Sequence, residues 1–201
     1  MSVSVRGNGG VGLHRSDRPG GETYRLLSRY IQPPLHYSAG MSQRANFRRA
    51  ALGLAAWLAV CIGAAAVAGL FRPGDWYAQL QKPAWTPPNW LFGPVWTALY
   101  LMMAVAAWEV WRRGGFARQC RPLAWFLIQL AFNALWSWLF FGLHQPAWGL
   151  VDLLLLWFSL LATLIAFGRQ SRLAGALLVP YLVWVTFAAA LNFALGRMNS
   201  G

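Results

Sequence analysis

Five apolar runs, each long enough to cross a lipid bilayer as a helix, constrain the fold of this chain more than any other feature. A helix needs about 20 apolar residues to cross ~30 Å of hydrocarbon. Backbone groups in lipid must pair within their own segment, so such runs form helices. The runs are Ala50–Phe71, Leu91–Trp111, Leu123–Leu143, Ala147–Gly168 and Leu173–Gly196. The sequence therefore predicts an all-α, polytopic integral membrane protein built as a five-helix bundle.

Charged residues are too few to cover a water-facing surface, and their placement indicates membrane topology. They make up 11% of the chain, whereas soluble domains carry roughly 25%. Alternate ends of the five runs face the same side of the membrane. One side carries nine basic residues, Arg44, Arg48, Arg49, Arg112, Arg113, Arg118, Arg121, Arg169 and Arg172, and the other side carries three, Arg72, Lys82 and Arg197. The positive-inside rule then predicts a cytoplasmic N-terminus, or its organellar equivalent, and a C-terminus on the opposite side. This distribution also argues against nucleic acid as a partner, despite the net charge of +12.

Residues 1–49 differ in composition from the membrane domain predicted for 50–199. They are basic, rich in Gly, Ser and Arg, and lack helical periodicity. Such a segment cannot bury enough surface to offset its ordering entropy, so we expect a disordered N-terminal extension. An organellar transit peptide is one alternative. A native start at Met41, directly before a short basic stretch and the first apolar run, is another.

The segment between the first two runs, residues 72–90, is expected to be a large ordered loop over one end of the bundle. Pro73, Pro83, Pro87 and Pro88 prevent a continuous helix. The segment is also too aromatic for a free linker, which favours packing against the helices.

Isolated polar residues in the runs offer little catalytic chemistry. Glu109 precedes Arg112 and Arg113 by three and four residues, a spacing that predicts an ion pair at the membrane boundary. Asp152 lies inside the fourth run, where it either accepts a hydrogen bond from the loop or lines a polar cavity. His144 is expected to be solvated. No metal site and no catalytic residue are predicted, and the chain is not expected to be an enzyme.

Small residues recur every four positions in the first run, at Ala55, Ala59 and Gly63. This spacing allows helices to approach closely. It fits packing within the bundle as well as it fits a seam between two copies of the chain.

Aromatic and amide side chains of three predicted helices fall at similar depths, about 8–14 Å from the loop side at 1.5 Å per residue. They are Trp96 and Tyr100 in the second helix, Asn133, Trp136 and Ser137 in the third, and Trp184, Ala188, Leu191 and Asn192 in the fifth. Large aromatics with a few amides suit a flat, mostly apolar ligand with polar edges. From spacing alone, a pocket and simple core packing are equally good interpretations.

Three segments of the chain resemble the TspO/MBR family, the tryptophan-rich sensory and translocator proteins. They are DWYAQLQKPAWTPPNWLFGPVW, FNALWSWLFFG and VPYLVWVTFAAALN, in the family's order, and the resemblance spans 51–199. It implies a five-helix bundle whose first loop closes a pocket for porphyrin or haem, without an obligatory cofactor. It also implies a homodimer, and sterol binding in some members. The implied ligand-binding residues are Tyr77, Trp96, Tyr100, Asn133, Trp136, Ser137, Trp184 and Ala188.

The resemblance leaves three functional hypotheses. The first is a tetrapyrrole-binding sensor or transporter that regulates porphyrin metabolism or a stress response. The second is a light-dependent, porphyrin-degrading enzyme, and the third is a scaffolding membrane protein without a dedicated ligand. Sterol is a doubtful partner, because Phe193 stands where the sterol pattern proposed for the last helix has Tyr, and therefore lacks its hydroxyl.

Overall fold

Residues 35–199 are described by a computed structural model, with side chains for Arg44 and from Asn46 onwards. The helices are α1 (Leu35–Gly69), α2 (Asp75–Gln79), α3 (Asn89–Trp111), α4 (Gly115–Ser137), α5 (Pro146–Gln170) and α6 (Arg172–Met198). All except α2 contain a span long and apolar enough to cross a membrane, and no strand occurs in this part of the chain. These helices confirm the all-α, five-helix prediction.

Two helices begin well before the apolar runs that predicted them. Helix α4 begins at Gly115, not Leu123, and α1 begins at Leu35, not Ala50. Both continue through Arg-containing sequence, because a helix can extend beyond the hydrocarbon where water and lipid headgroups solvate polar side chains. In α4 a kink at Gln119, whose dihedral angles are not helical, separates this polar part from the rest of the helix. Residues 1–34 of the predicted extension lie outside the described range.

Helices α3 to α6 pack tightly around a buried core, in which α5 contacts α4 and α6, and α3 contacts α4 and α6. The crossing of α5 and α6 depends on two glycines. A Cβ atom at Gly175 would lie 2.9 Å from the Cα atom of Gly168, so the two backbones could not approach this closely with a larger residue. Close contact between small residues is a common way for membrane helices to pack.

Helix α1 is attached to this core by one narrow face. Gly53, Trp57 and Cys61, spaced four apart, are all buried. A Cβ atom at Gly53 would lie 2.2 Å from the Trp111 ring, so only glycine fits there. The Trp57 ring meets Phe126 edge-on, 5.6 Å between centroids. The small residues of the predicted stripe, Ala55, Ala59 and Gly63, are instead exposed, so that stripe does not pack the bundle.

The bundle has two different ends. At one end of the bundle α3 and α5 finish and α4 and α6 begin; we call it the arginine end. There Glu109 contacts Arg112 at 2.5 Å and Arg113 at 2.7 Å, which confirms the predicted ion pair. The Ser171 hydroxyl donates to the Glu109 carboxylate at 3.2 Å, and Ser171 also caps the start of α6. A buried carboxylate thus ties α3 to the turn between α5 and α6.

The opposite end, which we call the loop end, is covered by the segment between α1 and α3. Within it, Trp76 of α2 stacks on His144 in the α4–α5 turn, with centroids 4.5 Å apart. Asn199, at the end of α6, accepts from the Gln81 amide at 2.9 Å and donates to the Gln81 carbonyl at 3.0 Å. The segment is therefore attached to the bundle by aromatic and amide contacts. His144 is exposed, as expected, but it also supports this loop.

Candidate ligand-binding site

A small cavity lies directly beneath α2, and three of the predicted ligand residues line it. Tyr77, Trp136 and Ala188 surround about 30 Å³, together with the apolar side chains of Phe140, Phe141, Leu191 and Leu195 and the amide of Asn192. This volume holds about one water molecule. Burial raises the pKa of Tyr77, which keeps its hydroxyl protonated. At this volume the cavity is too small for an organic ligand.

Trp136 is fixed in this cavity by stacking and by one hydrogen bond. Its ring stacks on Phe140, with centroids 5.3 Å apart and planes 22° apart. Its indole N–H donates to Asn192 Oδ1 at 3.2 Å, and Asn192 Nδ2 donates to the Pro146 carbonyl at 2.7 Å. A π-helical turn over Trp138–Gly142 continues α4 and carries Phe140 into the core. Such turns are rare and often occur at functional sites.

Asn133 lies deeper and uses both ends of its amide within the protein. Its Oδ1 accepts from the Tyr100 hydroxyl, and its Nδ2 donates to the Tyr181 hydroxyl at 2.8 Å. These bonds join α3, α4 and α6 through three buried side chains. The expected role of Asn133, a hydrogen bond to the polar edge of a ligand, stays a prediction. Each end of the amide uses one of its two hydrogen-bonding positions in these internal bonds, so a ligand would have to reach the second position or replace an internal partner.

A larger space opens between α1 and α3, next to this hydrogen-bonded group. It measures about 310 Å³, and the side chains that line it are Leu58, Cys61, Ile62, Ala65, Trp96, Thr97, Tyr100 and Leu101. Ligand pockets for small organic molecules typically begin at ~300 Å³. Two of the predicted residues, Trp96 and Tyr100, therefore border a cleft of sufficient size. Sequence reasoning missed the α1 wall, because that helix offers only aliphatic side chains and one thiol there.

The remaining two predicted residues lie apart from these spaces. Trp184 meets Phe92 edge-on at 5.7 Å and packs against Phe187 at 5.4 Å, in an aromatic group beneath the loop. Ser137 is buried. The eight predicted residues thus surround one region of the bundle, and in the described part of the chain five of them are divided between these two spaces.

Asp152 is a buried carboxyl group in this region. Its side chain is 3% exposed, and neither oxygen has a hydrogen-bond partner within residues 35–199. The first interpretation, a hydrogen bond to the loop, is therefore wrong. One turn nearer the loop end, a Cβ atom at Gly149 would lie 3.1 Å from Asn192 and 3.4 Å from Phe140. From this register we infer that Asp152 faces the bundle interior near the level of Ser137 and Ala188.

Three residues with a clear part in this geometry were not predicted as ligand residues. They are Phe140, Tyr181 and Asn192. The sequence did contain a signal for Asn192, which belongs to the aromatic and amide group predicted at similar depth, and for Tyr181, which stands in the same motif as Trp184 and Ala188. Phe140 stands in the same motif as Asn133 and Trp136, but its orientation depends on the π-helical turn, which the motif does not reveal.

Comparison with known proteins agrees with this architecture. The model of the TspO/MBR family matches residues 55–198. The chain is 43% identical to Protein CrtK of Rhodobacter capsulatus, over 73% of this chain and 92% of that protein. It is 44% identical to the tryptophan-rich protein TspO of Chlorobaculum tepidum, over 71% and 95%. Identity to the human translocator protein is 46%, over 63% of this chain and 76% of the relative. The chain belongs to the TspO/MBR family.

Proposed function

We propose that this protein is a tetrapyrrole-binding membrane sensor or transporter, with porphyrin or haem as its ligand and no obligatory cofactor. The observation that carries the proposal is the 310 Å³ cleft bordered by Trp96 and Tyr100. It is apolar, it opens beside the amide of Asn133, and it adjoins the aromatic residues beneath the loop. A planar ring system can stack on an indole, while polar groups at its edge need amide or hydroxyl partners.

A tetrapyrrole is larger than the cleft alone, so binding is proposed to join the cleft to the closed space beneath α2. The Asn133 bonds to Tyr100 and Tyr181 lie on this route. Exchange of one of them for a ligand contact would keep the buried amide paired. Relatives of this chain are named a tryptophan-rich sensory protein and a translocator protein. Their names support sensing or translocation.

Quenching of tryptophan fluorescence tests the proposal on the purified full chain in detergent. Protoporphyrin, coproporphyrin and haem are titrated in the dark. Trp96→Leu should weaken binding strongly. Trp125→Leu is the matched control, because Trp125 is exposed and lines neither space. Equal affinity in both variants, with unchanged melting temperatures, would locate the ligand elsewhere. Breakdown of the porphyrin under light at a rate that depends on Trp96 would favour the enzyme hypothesis instead.

We also propose that the arginine end faces the cytoplasm, or its organellar equivalent, as the positive-inside rule predicts. From Arg48 onwards this end holds eight of the nine basic residues counted from the sequence, and the loop end holds three. Labelling of single cysteines in intact cells tests it: with Cys61 and Cys120 replaced by Ser, Arg118→Cys and Asn199→Cys should react from opposite sides of the membrane. Labelling of both from one side would contradict the proposal.

A homodimer is also proposed, and the exposed stripe on α1 is a candidate interface. Ala55, Ala59 and Gly63 face away from the bundle, and nothing lies within 4 Å of a Cβ atom at Gly63. Ala59→Trp should then reduce the dimer fraction in sedimentation experiments in detergent. An unchanged dimer would move the interface to another face.

A further inference from the structure

A groove at the loop end combines a charged rim with an apolar wall. It measures about 290 Å³ and lies between the first turns of α5 and the last turns of α6. The side chains and backbone that line it belong to Gln145, Pro146, Ala147, Leu150, Asn192, Phe193, Gly196, Arg197 and Asn199. Asn192 alone is shared with the cavity beneath α2. The groove is thus a separate space on the outside of the ligand region.

Arg197 is the charged residue of the groove. Two other basic residues at this end bind the protein's own backbone: Arg72 donates to the Gly69 carbonyl at 3.2 Å, and Lys82 donates to the Ala78 carbonyl at 3.1 Å. Arg197 makes neither a hydrogen bond nor an ion pair within residues 35–199, and no acidic side chain lines the groove. A guanidinium group presents several N–H donors in a planar fork that matches a phosphate.

Exposed tryptophans indicate where the membrane surface crosses this end. Trp90, Trp148 and Trp138 are 71%, 64% and 41% exposed, at the start of α3, the start of α5 and the end of α4. Tryptophan favours the headgroup level of a bilayer. The groove lies between helix ends at this same level, so its occupant meets headgroups at the rim and acyl chains below.

The order of residues along α6 matches the order of groups in a lipid. Phe193 and Arg197 are four residues apart and therefore share one face of the helix. Arg197 lies at the helix end, and Phe193 lies about 6 Å deeper, since each residue rises 1.5 Å. The Phe193 ring is 55% exposed, and Leu150 of α5 faces the same space. A molecule with an anionic head and an apolar tail would therefore contact Arg197 and Phe193 together.

We propose that this groove binds one anionic phospholipid from the surrounding leaflet, with its phosphate on Arg197 and an acyl chain along Leu150 and Phe193. The amide side chain of Gln145 at the rim can donate to a remaining headgroup oxygen. The proposal does not depend on tetrapyrrole binding. Because Asn192 also holds the indole of Trp136, the lipid would contact the outer side of a residue that lines the inner cavity.

Native mass spectrometry of the full chain in detergent tests this proposal with defined lipids. Phosphatidylglycerol and phosphatidylcholine with identical acyl chains are compared in wild type and in three variants. The wild type should retain one phosphatidylglycerol, with a preference of about tenfold over phosphatidylcholine, as expected for one charge-assisted contact. Arg197→Gln should abolish the preference, and Arg197→Lys should keep part of it. Arg72→Gln removes the same charge at the same end, outside the groove, and should change nothing.

A fourth variant tests the groove itself and covers the case in which Arg197→Gln does not purify. Ala147→Trp fills the space while leaving Arg197 in place, and it should abolish retention of the lipid. Equal losses in Arg72→Gln and Arg197→Gln would overturn the proposal, because they would indicate a diffuse surface charge. The proposal would also be overturned if soluble glycerol phosphate displaced phosphatidylglycerol as effectively as intact lipid does, because the groove would then be a site for free phosphate. The proposal would also be overturned if a sterol displaced the lipid from the wild type and still did so in Arg197→Gln.

Discussion

The arginine end and the loop end of the bundle are stabilised by different kinds of contact. At the arginine end, the buried Glu109 carboxylate is paired with two arginines and with Ser171. At the loop end, the buried Asp152 carboxyl is unpaired within the described range, and the covering segment is held by ring contacts and by Asn199. All three spaces discussed above lie in the half nearer the loop end. From this difference we expect the arginine end to be the more rigid half and the loop end to change shape more easily.

Truncation of a buried phenylalanine in each half should show this contrast most strongly. Phe126 stacks on Phe167 at 5.7 Å and is fully buried, so Phe126→Ala should destabilise the bundle by about 3–4 kcal/mol. Phe140 borders a cavity and contacts Trp76 of the covering segment, so Phe140→Ala should cost less, about 2 kcal/mol, if its surroundings collapse into the space. Denaturant unfolding in one detergent measures both. Equal losses would mean that the loop end is as rigid as the base.

Loss of the charge should destabilise the protein at one of the two buried acids and not at the other. Glu109→Gln should destabilise the protein by about 1–2 kcal/mol, a value reduced because Arg112 and Arg113 are half exposed and can be solvated by water. Asp152→Asn should be neutral or slightly stabilising, because no partner in residues 35–199 is lost. Melting curves of both variants decide this. A large loss in Asp152→Asn would reveal a partner for that carboxyl, and the contrast between the ends would then fail.

Sequence reasoning succeeded where a single physical constraint is sufficient. The hydrocarbon thickness determined the five helices, and helical spacing determined the pairing of Glu109 with its arginines. It also brought Trp96, Tyr100 and Asn133 to one region, through their depth. It did not find the cleft beside α1, whose aliphatic wall carries no chemical signature. Nor did it find that Asn133 is bonded to Tyr100 and Tyr181, because both bonds depend on helix rotation, which packing determines. The orientation of Phe140 depends on a local π-helical turn in the same way.

Asn133 lies between the two halves, and its substitution can distinguish a structural role from a ligand-binding role. Asn133→Leu removes bonds to Tyr100 and Tyr181, so stability should fall by about 1 kcal/mol, since hydrogen bonds between membrane helices are weak. If the amide also binds the ligand, protoporphyrin affinity per folded molecule should fall about threefold to tenfold. Tyr181→Phe is the matched control, because it breaks one internal bond and leaves the amide in place. Unchanged affinity in Asn133→Leu would restrict this residue to helix packing.

The smallest effect on global stability is expected for Asn199, whose side chain joins the end of α6 to the covering segment. Asn199→Ala removes both hydrogen bonds to Gln81, but these groups are exposed, so water replaces them and stability should change by only about 0.5 kcal/mol. Local opening of the covering segment should nevertheless increase, because only ring contacts would then hold the short helix α2 on the bundle. Hydrogen exchange across residues 75–81 should accelerate severalfold, while exchange in α5 stays at the wild-type rate. Trp76→Ala, which removes the stack on His144, provides an independent way to release the same segment and should accelerate the same amides. If neither variant changes exchange there, the segment is not held by these contacts, and the loop end would be as firmly closed as the arginine end.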